Sequence, residues 1–264
     1  MSAEPPVVKM FKNIIASLRG EAGFRYIARA RELARAGFRV INFGVGQPDV
    51  PTFQHIVDEA KKALDDGFTG YTETPGIPEL RVAIADYLNT RYGSDVKADE
   101  VIVTPGAKPA IFLAIASYVG PGDEVIVPEP SFPAYPEIIR FLGAKPVYIP
   151  LKWLGGSRGF ELDLEAMESS ITPRTKMIVV NNPHNPTGAV FDERQIEEIY
   201  RMAIEHRLLV LADEIYDNFL YEGTRLKSFI SFPEWRDYVL YVNGFSKTFS
   251  MTGWRLGYLV ARGE

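Results

Sequence analysis

The chain has 264 residues, 46% of them hydrophobic, with a formal net charge of −5 and a sequence pI near 5.4. This size allows one large core, or one core and part of a second, and the acidic balance offers no basic surface for nucleic acid. Without cysteine and with only three scattered histidines, neither disulfides nor a metal site is expected. Met1 to Pro6 does not resemble a secretion signal, and no apolar run reaches the roughly 20 residues of a membrane span. These features predict a cytoplasmic protein.

The N-terminal part predicts arm helices followed by a loop. Apolar residues recur at helical spacing from about Lys9 to Ala36, with a break at Gly20 and an end at Gly37. A short strand is predicted at Arg39 to Phe43. The next segment, Gly44 to Asp49, contains glycines that let a backbone approach a ligand and a proline that stops the strand. A plain connector is the alternative interpretation of this segment.

From residue 52 onward, helical and strand patterns alternate. Helices are predicted at Thr52 to Asp66, Pro78 to Tyr92, Ala107 to Tyr118, in a stretch ending at Leu142, at Leu162 to Ser169, and after a capping box at Asp192 and Gln195 to about His206. Strands are predicted at Glu100 to Thr104, Glu124 to Val127, Lys145 to Ile149, Lys176 to Val180, Leu208 to Ala212, Tyr238 to Val242 and Leu259 to Ala261. This alternation predicts an α/β fold with a mainly parallel sheet and helices on both faces.

Three of the predicted strands end in residues suited to binding. Gly106 turns the chain into a helix that begins at Ala107, which would present backbone amides to an anion, although such turns are common in α/β proteins. The segment Asn181 to Gly188 contains two prolines and a glycine, so it must be a loop at the carboxyl edge of the sheet. Asp213 ends a fully apolar strand, where a carboxylate is costly unless a cation pairs with it. A helix cap is the alternative role for Asp213.

The stretch around Lys247 predicts the chemistry. An amine at the end of the buried strand Tyr238 to Val242, among small and aromatic residues, would have its cationic form disfavoured by desolvation, which makes a lysine nucleophilic. Arg255 follows eight positions later, and a guanidinium is suited to holding a phosphate. Together they indicate a phosphorylated carbonyl cofactor held as a Schiff base, which is pyridoxal phosphate. Its ring nitrogen would supply the cation that Asp213 requires.

At these residues the sequence resembles the class I (class I/II) aminotransferases, which are pyridoxal-phosphate enzymes of fold type I. The resemblance rests on three motifs: Gly244 to Gly257 around the lysine, Asn182-Pro183-His184-Asn185-Pro186-Thr187-Gly188, and Asp213-Glu214-Ile215-Tyr216. It implies that residues 1–48 form an N-terminal arm and part of a small domain, and that residues 49–264 form the large cofactor-binding domain. It further implies a homodimer, and a C-terminal small domain with a substrate-binding arginine that a chain ending at Glu264 lacks.

The resemblance also implies a role for each site residue. Lys247 would carry the cofactor and move a proton between the substrate and the cofactor, Asp213 would keep the ring nitrogen protonated, and Tyr216 and Asn185 would bind the phenolic oxygen. The remaining cofactor-binding residues would be Ala107, Lys108 and Arg255 near the phosphate, Tyr71 reaching the phosphate from the partner subunit, Phe132 stacked on the ring, and Ser246. Gly46 and Asn185 would lie near the substrate carboxylate. The alternatives are ordinary core packing for Phe132 and a plain loop aromatic for Tyr71.

Three further residues receive interpretations at this stage. Lys108 places a cation either near a distal substrate carboxylate, which would favour aspartate or glutamate, or on the surface. His184 is interpreted as a loop-filling residue, and Glu214 as solvated or paired structurally.

The sequence therefore predicts an aminotransferase, a transferase of nitrogenous groups, that moves an amino group from an L-amino acid, acidic or aromatic, to a 2-oxo acid. A fold-type I lyase or synthase using the same residues is one alternative. A non-catalytic fragment that binds pyridoxal phosphate is another, and a chain that ends at Glu264 is expected to transaminate poorly.

Overall fold

The structure is a computed structural model that describes Ile15, Leu18 and residues 22–44, 46–156, 159–221 and 223–263. The helices are α1 Ala22–Arg35, α2 Gln54–Asp65, α3 Pro78–Tyr92, α4 Ala107–Ala116, α5 Ala134–Phe141, α6 Leu164–Ser169, α7 Glu193–His206 and α8 Trp235–Tyr238. The strands are β1 Val101–Thr104, β2 Glu124–Glu129, β3 Lys145–Pro150, β4 Lys152–Trp153, β5 Phe160–Glu161, β6 Thr175–Asn181, β7 Leu209–Asp213, β8 Val239–Gly244 and β9 Gly257–Val260.

The described residues fold around one seven-stranded sheet with the strand order β1-β9-β8-β7-β6-β2-β3. The neighbours from β8 to β3 pair in parallel, whereas β9 is antiparallel to both β1 and β8. The predicted α/β fold with a mainly parallel sheet is therefore confirmed. Because parallel strands end at the same edge, the sheet register sets Asp213 beside Asn181 on one side and Val242 on the other.

Helices cover both faces of the sheet. Successive residues of β7 point to opposite faces: Leu211 packs in one apolar cluster with Ile111 of α4, and Val210 packs in a second cluster with Leu88 of α3. These four side chains are almost completely buried, and full burial of one such side chain stabilises the fold by about 1.5–3 kcal/mol. The two clusters pack against both faces of the sheet and so fix the strands from whose carboxyl ends the loops begin.

Most predicted elements are confirmed, with ends that differ by a few residues. The capping box of α7 forms as predicted: Gln195 N donates to Asp192 Oδ1 at 2.8 Å, and Asp192 N donates to Gln195 Oε1 at 3.3 Å. The predicted helical stretch before residue 22 lies mainly outside the described residues. Within the described residues, no helix combines the length and apolarity that crossing a lipid bilayer requires.

The strand predicted at Arg39 to Phe43 is wrong. A strand needs a neighbour to accept its backbone hydrogen bonds, and no described strand lies beside this segment. Ile41 and Phe43 are accordingly exposed by 71% and 92%.

The hairpin of β4 and β5 was not predicted. Both strands have two residues, which is too short for an alternating pattern to be recognised. The hairpin is closed by Trp153 and Phe160, whose ring centroids lie 4.7 Å apart.

Candidate active site

A pocket of about 790 Å³ opens at the carboxyl edge of the sheet. Its walls are the loops that follow β1, β2, β6, β7 and β8, and the segment around Gly46. Among the described residues, the pocket is lined by all the site residues predicted from the sequence except Tyr71: Gly46, Ala107, Lys108, Phe132, Asn185, Asp213, Tyr216, Ser246, Lys247 and Arg255. The fold therefore brings these distant segments to one place.

Asp213 lies at the bottom of the pocket, with 3% of its surface exposed. Its Oδ2 accepts a hydrogen bond of 2.6 Å from the Tyr135 hydroxyl, and its Oδ1 accepts one of 3.2 Å from Ile215 N. Burial raises the pKa of this carboxyl to about 6, against the opposing effects of these hydrogen bonds and of the Lys247 charge. Tyr135 was not singled out from the sequence, because a tyrosine at the start of a helix gives no sign of the carboxylate it will contact.

The stability of the cofactor-free protein is expected to depend on the proton of Asp213. Because burial raises the pKa from 3.8 to about 6, the folded state binds this proton more tightly. The resulting stabilisation is complete below the unfolded pKa and is lost as the pH rises through the folded pKa. One pKa unit corresponds to about 1.4 kcal/mol, so the stability of the wild type relative to Asp213→Asn should fall by about 2 kcal/mol from pH 4 to pH 7.

Urea unfolding of the full-length, cofactor-free proteins measures this difference at each pH. Asp65→Asn, which changes an exposed carboxyl of α2, is the control. A stability difference that does not vary with pH would contradict the role of burial at Asp213.

The loop after β6 is fixed to the Asp213 strand by an asparagine. Asn181 Nδ2 donates to the Asp213 carbonyl at 2.9 Å, and Asn181 Oδ1 accepts from Asn185 N at 2.7 Å. This buried side chain sets the position of Asn185 relative to Asp213. His184 is buried in the same loop, where its Nδ1 lies 2.8 Å from Thr187 Oγ1 and burial lowers its pKa to about 4. That placement agrees with the interpretation of His184 as a loop-filling residue.

Arg255 and the first turn of α4 form a positively polarised corner of the pocket. Gly106 precedes α4 with a φ of 95°, and a Cβ at this position would collide with the Arg255 guanidinium. Arg255 Nη1 is held by the Thr252 carbonyl at 2.7 Å. The unpaired amides of a helix N-terminus attract anions, and here a guanidinium lies against them. The corner is therefore suited to a phosphate.

Lys247 lines the same pocket as Asp213 and Asn185. Its Nζ donates to the Gly46 carbonyl and lies 5.4 Å from the centroid of the Tyr216 ring. Burial, with the nearby Asp213 charge, raises the pKa of Tyr216 to about 12, so its hydroxyl remains a hydrogen-bond donor at neutral pH. The contact with Gly46 brings the N-terminal loop to the mouth of the pocket.

A comparison with known proteins agrees with this geometry. The model of the family "Aminotransferase class I and II" matches residues 39–264. The chain belongs to the class I and II aminotransferases. It is 53% identical over 247 residues to an aspartate aminotransferase of Sulfolobus acidocaldarius and 56% identical over 247 residues to that of Sulfurisphaera tokodaii, covering 93% of this chain and 61% of each relative. The chain thus spans about 61% of the length of these relatives.

Solved structures of the same family share the fold. The aspartate aminotransferase of Thermus thermophilus with maleate superposes with a TM-score of 0.89 at 39% identity, covering 96% of this chain and 64% of that one. An alanine aminotransferase of Pyrococcus furiosus gives a TM-score of 0.87 at 35% identity, covering 94% and 63%.

Class I and II aminotransferases depend on pyridoxal phosphate, and the pocket fits this cofactor. The corner of Arg255 and α4 suits its phosphate, the buried carboxyl of Asp213 suits its ring nitrogen, and the amine of Lys247 suits its aldehyde. Phe132 lines the pocket and packs edge-on against Tyr135 at 5.6 Å between centroids. Its position is compatible with stacking as well as with packing.

Two interpretations from the sequence need comment, and one of them is wrong in part. Glu214 is not solvated: it is 1% exposed, its Oε1 accepts from Phe229 N at 3.0 Å, and burial raises its pKa to about 8. Tyr71 is fully exposed on this single chain and does not line the described pocket. Its role across a subunit interface stays a prediction.

Proposed function

We propose that the full-length protein is an aminotransferase that moves the amino group of an L-amino acid to a 2-oxo acid. The observation that supports this most strongly is the pocket in which Lys247, the buried carboxyl of Asp213 and the Arg255 corner face one another. When bound, pyridoxal phosphate supplies an electrophilic aldehyde carbon and a ring that withdraws electrons from the substrate. The residues of the chain hold, orient and exchange protons around it.

One group of residues anchors the cofactor. Asp213 would keep the ring nitrogen protonated, because an ionised carboxylate this deeply buried is stabilised by a cation. Phe132 would pack on the ring face. The amides of Ala107 and Lys108, together with Ser246 and Arg255, would hold the phosphate.

A second group carries out the proton transfer. The Lys247 amine would hold the cofactor by condensing with its aldehyde, with loss of water, and the free amine would accept the proton of the substrate Cα as a general base. Tyr216, which stays protonated at neutral pH, and Asn185 would donate hydrogen bonds to the phenolic oxygen. Gly46 and Asn185, which line the same pocket, would bind the substrate carboxylate.

We further propose an acidic amino acid as the preferred donor. Lys108 lines the pocket, with its Nζ 5.4 Å from the centroid of the Phe132 ring, so the pocket contains a cation beyond Arg255 and Lys247. Two relatives that are 53% and 56% identical are aspartate aminotransferases, which supports aspartate in particular. An aromatic donor is the second candidate, since a relative of Thermococcus litoralis that is 38% identical is named an aromatic-amino-acid aminotransferase.

The test uses the full-length protein with aspartate, glutamate, phenylalanine, tyrosine and alanine, each with and without 2-oxoglutarate. An aminotransferase should form the new oxo acid and glutamate in equal amounts, and only when the acceptor is present. Product formed from an amino acid without an acceptor would indicate a lyase instead. Cofactor binding with no product from any amino acid would indicate a non-catalytic protein.

The active unit is proposed to be a homodimer in which Tyr71 acts across the interface. Tyr71 is fully exposed on the single chain, and Phe68, three residues earlier, is largely exposed; exposed apolar surface of this kind marks interaction sites. Mixed full-length Tyr71→Ala and Lys247→Ala subunits should therefore regain activity, because one site of each mixed dimer has both residues.

The control mixture combines Lys247→Ala subunits with Tyr221→Ala subunits, in which another exposed tyrosine is replaced. Unlike Tyr71→Ala, the Tyr221→Ala protein should be active by itself. Mixed dimers that form without any return of activity above that of the two parent variants would exclude a role for Tyr71 in the neighbouring subunit.

The cytoplasmic location and the domain division after residue 48 stay predictions.

A further inference from the structure

The residue that follows Lys247 is fixed by two polar side chains from the loop after β7. Thr248 Oγ1 donates to Asp217 Oδ1 at 3.4 Å, and it accepts a hydrogen bond of 3.2 Å from Asn218 Nδ2. The same Asn218 amide lies 2.9 Å from Asp217 Oδ1. The three side chains thus form a closed triangle between the segment of Lys247 and the segment of Tyr216.

Asp217 is in turn anchored to helix α3. Its Oδ2 accepts hydrogen bonds from Tyr92 at 2.7 Å and from Tyr87 at 3.3 Å, and its backbone carbonyl accepts one of 3.1 Å from Arg91 Nη2. The carboxylate is only 2% exposed. Burial raises the pKa of Tyr92, so this phenol remains a donor to Asp217. The position of Asp217 is therefore set by the core of the fold and not by solvent.

The segment that follows Lys247 also borders a pocket. This open pocket of about 170 Å³ lies between α3 and the segment of Phe245, Thr248 and Phe249. On the side of the pocket the segment has fewer packing neighbours, so the hydrogen bonds of Thr248 contribute to fixing its position.

We propose that Asp217 is a positioning residue that acts through Thr248 to hold the Lys247 segment against Tyr216. This inference rests on the proposed function, because it takes Lys247 as the residue that attaches the cofactor. Asp217 and Thr248 touch the neighbours of Lys247 and Tyr216, and they act on the reaction only through those neighbours. The expected effect is on how fast Lys247 reaches the cofactor aldehyde, and not on how tightly the pocket holds the cofactor.

The experiment compares two probes on the full-length protein. The aldehyde of pyridoxal phosphate can condense with the Lys247 amine to form a C=N bond, with loss of water. The rate of this attachment is measured from the absorbance change, and borohydride reduction with peptide mapping identifies the lysine. Pyridoxamine phosphate has an amine in place of the aldehyde, so it cannot bond to Lys247, and its affinity measures noncovalent binding to the pocket alone. Thr248→Val, which removes the hydroxyl and both of its hydrogen bonds at nearly constant volume, should slow attachment about tenfold, an effect of the size expected when hydrogen bonds that include a charged acceptor are lost. The affinity for pyridoxamine phosphate should change by less than about twofold.

Three further variants make the result specific. Thr248→Ser keeps the hydroxyl and should attach the cofactor at close to the wild-type rate. Asp217→Asn keeps the acceptor for Tyr92 but loses charge, and should be slowed as Thr248→Val is. Thr172→Val removes a threonine hydrogen bond of 2.6 Å to Glu124, where β2 begins at the opposite edge of the sheet, and should leave the rate unchanged.

The possible failures are distinct. If the wild type binds pyridoxamine phosphate but never joins pyridoxal phosphate to Lys247, the proposed function fails. If the wild type forms the link and Thr248→Val forms it equally fast, only the inference fails. Equal weakening of both probes in Thr248→Val, or a Thr248→Ser variant as slow as Thr248→Val, would also overturn it, because either result shows a structural role.

Discussion

Replacing Lys247 with alanine in the full-length protein should abolish covalent attachment of pyridoxal phosphate and lower turnover by at least about 10³-fold. Proton transfer by a positioned side chain contributes about 10²–10⁴-fold, and Lys247 is proposed both to transfer the proton and to carry the cofactor. The pocket keeps its other anchors, at Asp213 and at the Arg255 corner, so the variant should still bind the cofactor without a covalent bond. Turnover, borohydride labelling and cofactor affinity are the measurements.

Lys227→Ala is a closely matched control. Lys227 Nζ lies 5.2 Å from the centroid of the Phe232 ring, as Lys247 Nζ lies 5.4 Å from that of Tyr216, so both variants lose a similar contact between an ammonium and a ring. Only the Lys247 variant should lose activity. Labelling of a different lysine in the wild type, or turnover within about tenfold of wild type in Lys247→Ala, would reject the assignment.

Replacing Gly257 with alanine should cause the largest loss of stability among the glycine positions of the site. A Cβ on Gly257 would lie 2.5 Å from both Ala107 N and Gly106 C, which are backbone atoms and cannot rotate away. Strand β9 would have to move from the first turn of α4, and overpacking of this kind costs about 3 kcal/mol. The shift would also separate Arg255, two residues earlier, from that turn.

Urea unfolding and phosphate affinity together test this expectation. Gly257→Ala should weaken binding of pyridoxamine phosphate much more than binding of pyridoxamine, because the loss concerns the corner that holds the phosphate. Gly120→Ala is the control, since its Cβ would meet nothing within 4 Å and its backbone is not left-handed. A Gly257→Ala protein as stable as Gly120→Ala would show that β9 and α4 adapt without cost.

The motifs of the site could be recognised in the sequence because each combines residues that restrict the backbone with side chains that can bind a cofactor. The prolines and glycine of residues 183–188 exclude helix and sheet, and the apolar run that ends at Asp213 predicts a strand buried on both faces. The structure confirms the sheet and brings Asn185, Asp213 and Lys247 to one pocket. The strand predicted at Arg39 to Phe43 failed because a local pattern cannot supply the neighbouring strand that it needs.

The sequence by itself determined the alternation of helices and strands, the family resemblance and the identity of the residues that would bind the cofactor. Only the tertiary structure revealed the partners that orient those residues: Tyr135 on Asp213, Asn181 on Asn185, and Asp217 on Thr248. Backbone preferences and apolar periodicity act over a few residues, so they are visible in the sequence. A hydrogen bond between Tyr135 and Asp213 joins residues 78 positions apart, and only the packing of the sheet and its helices decides which polar groups meet.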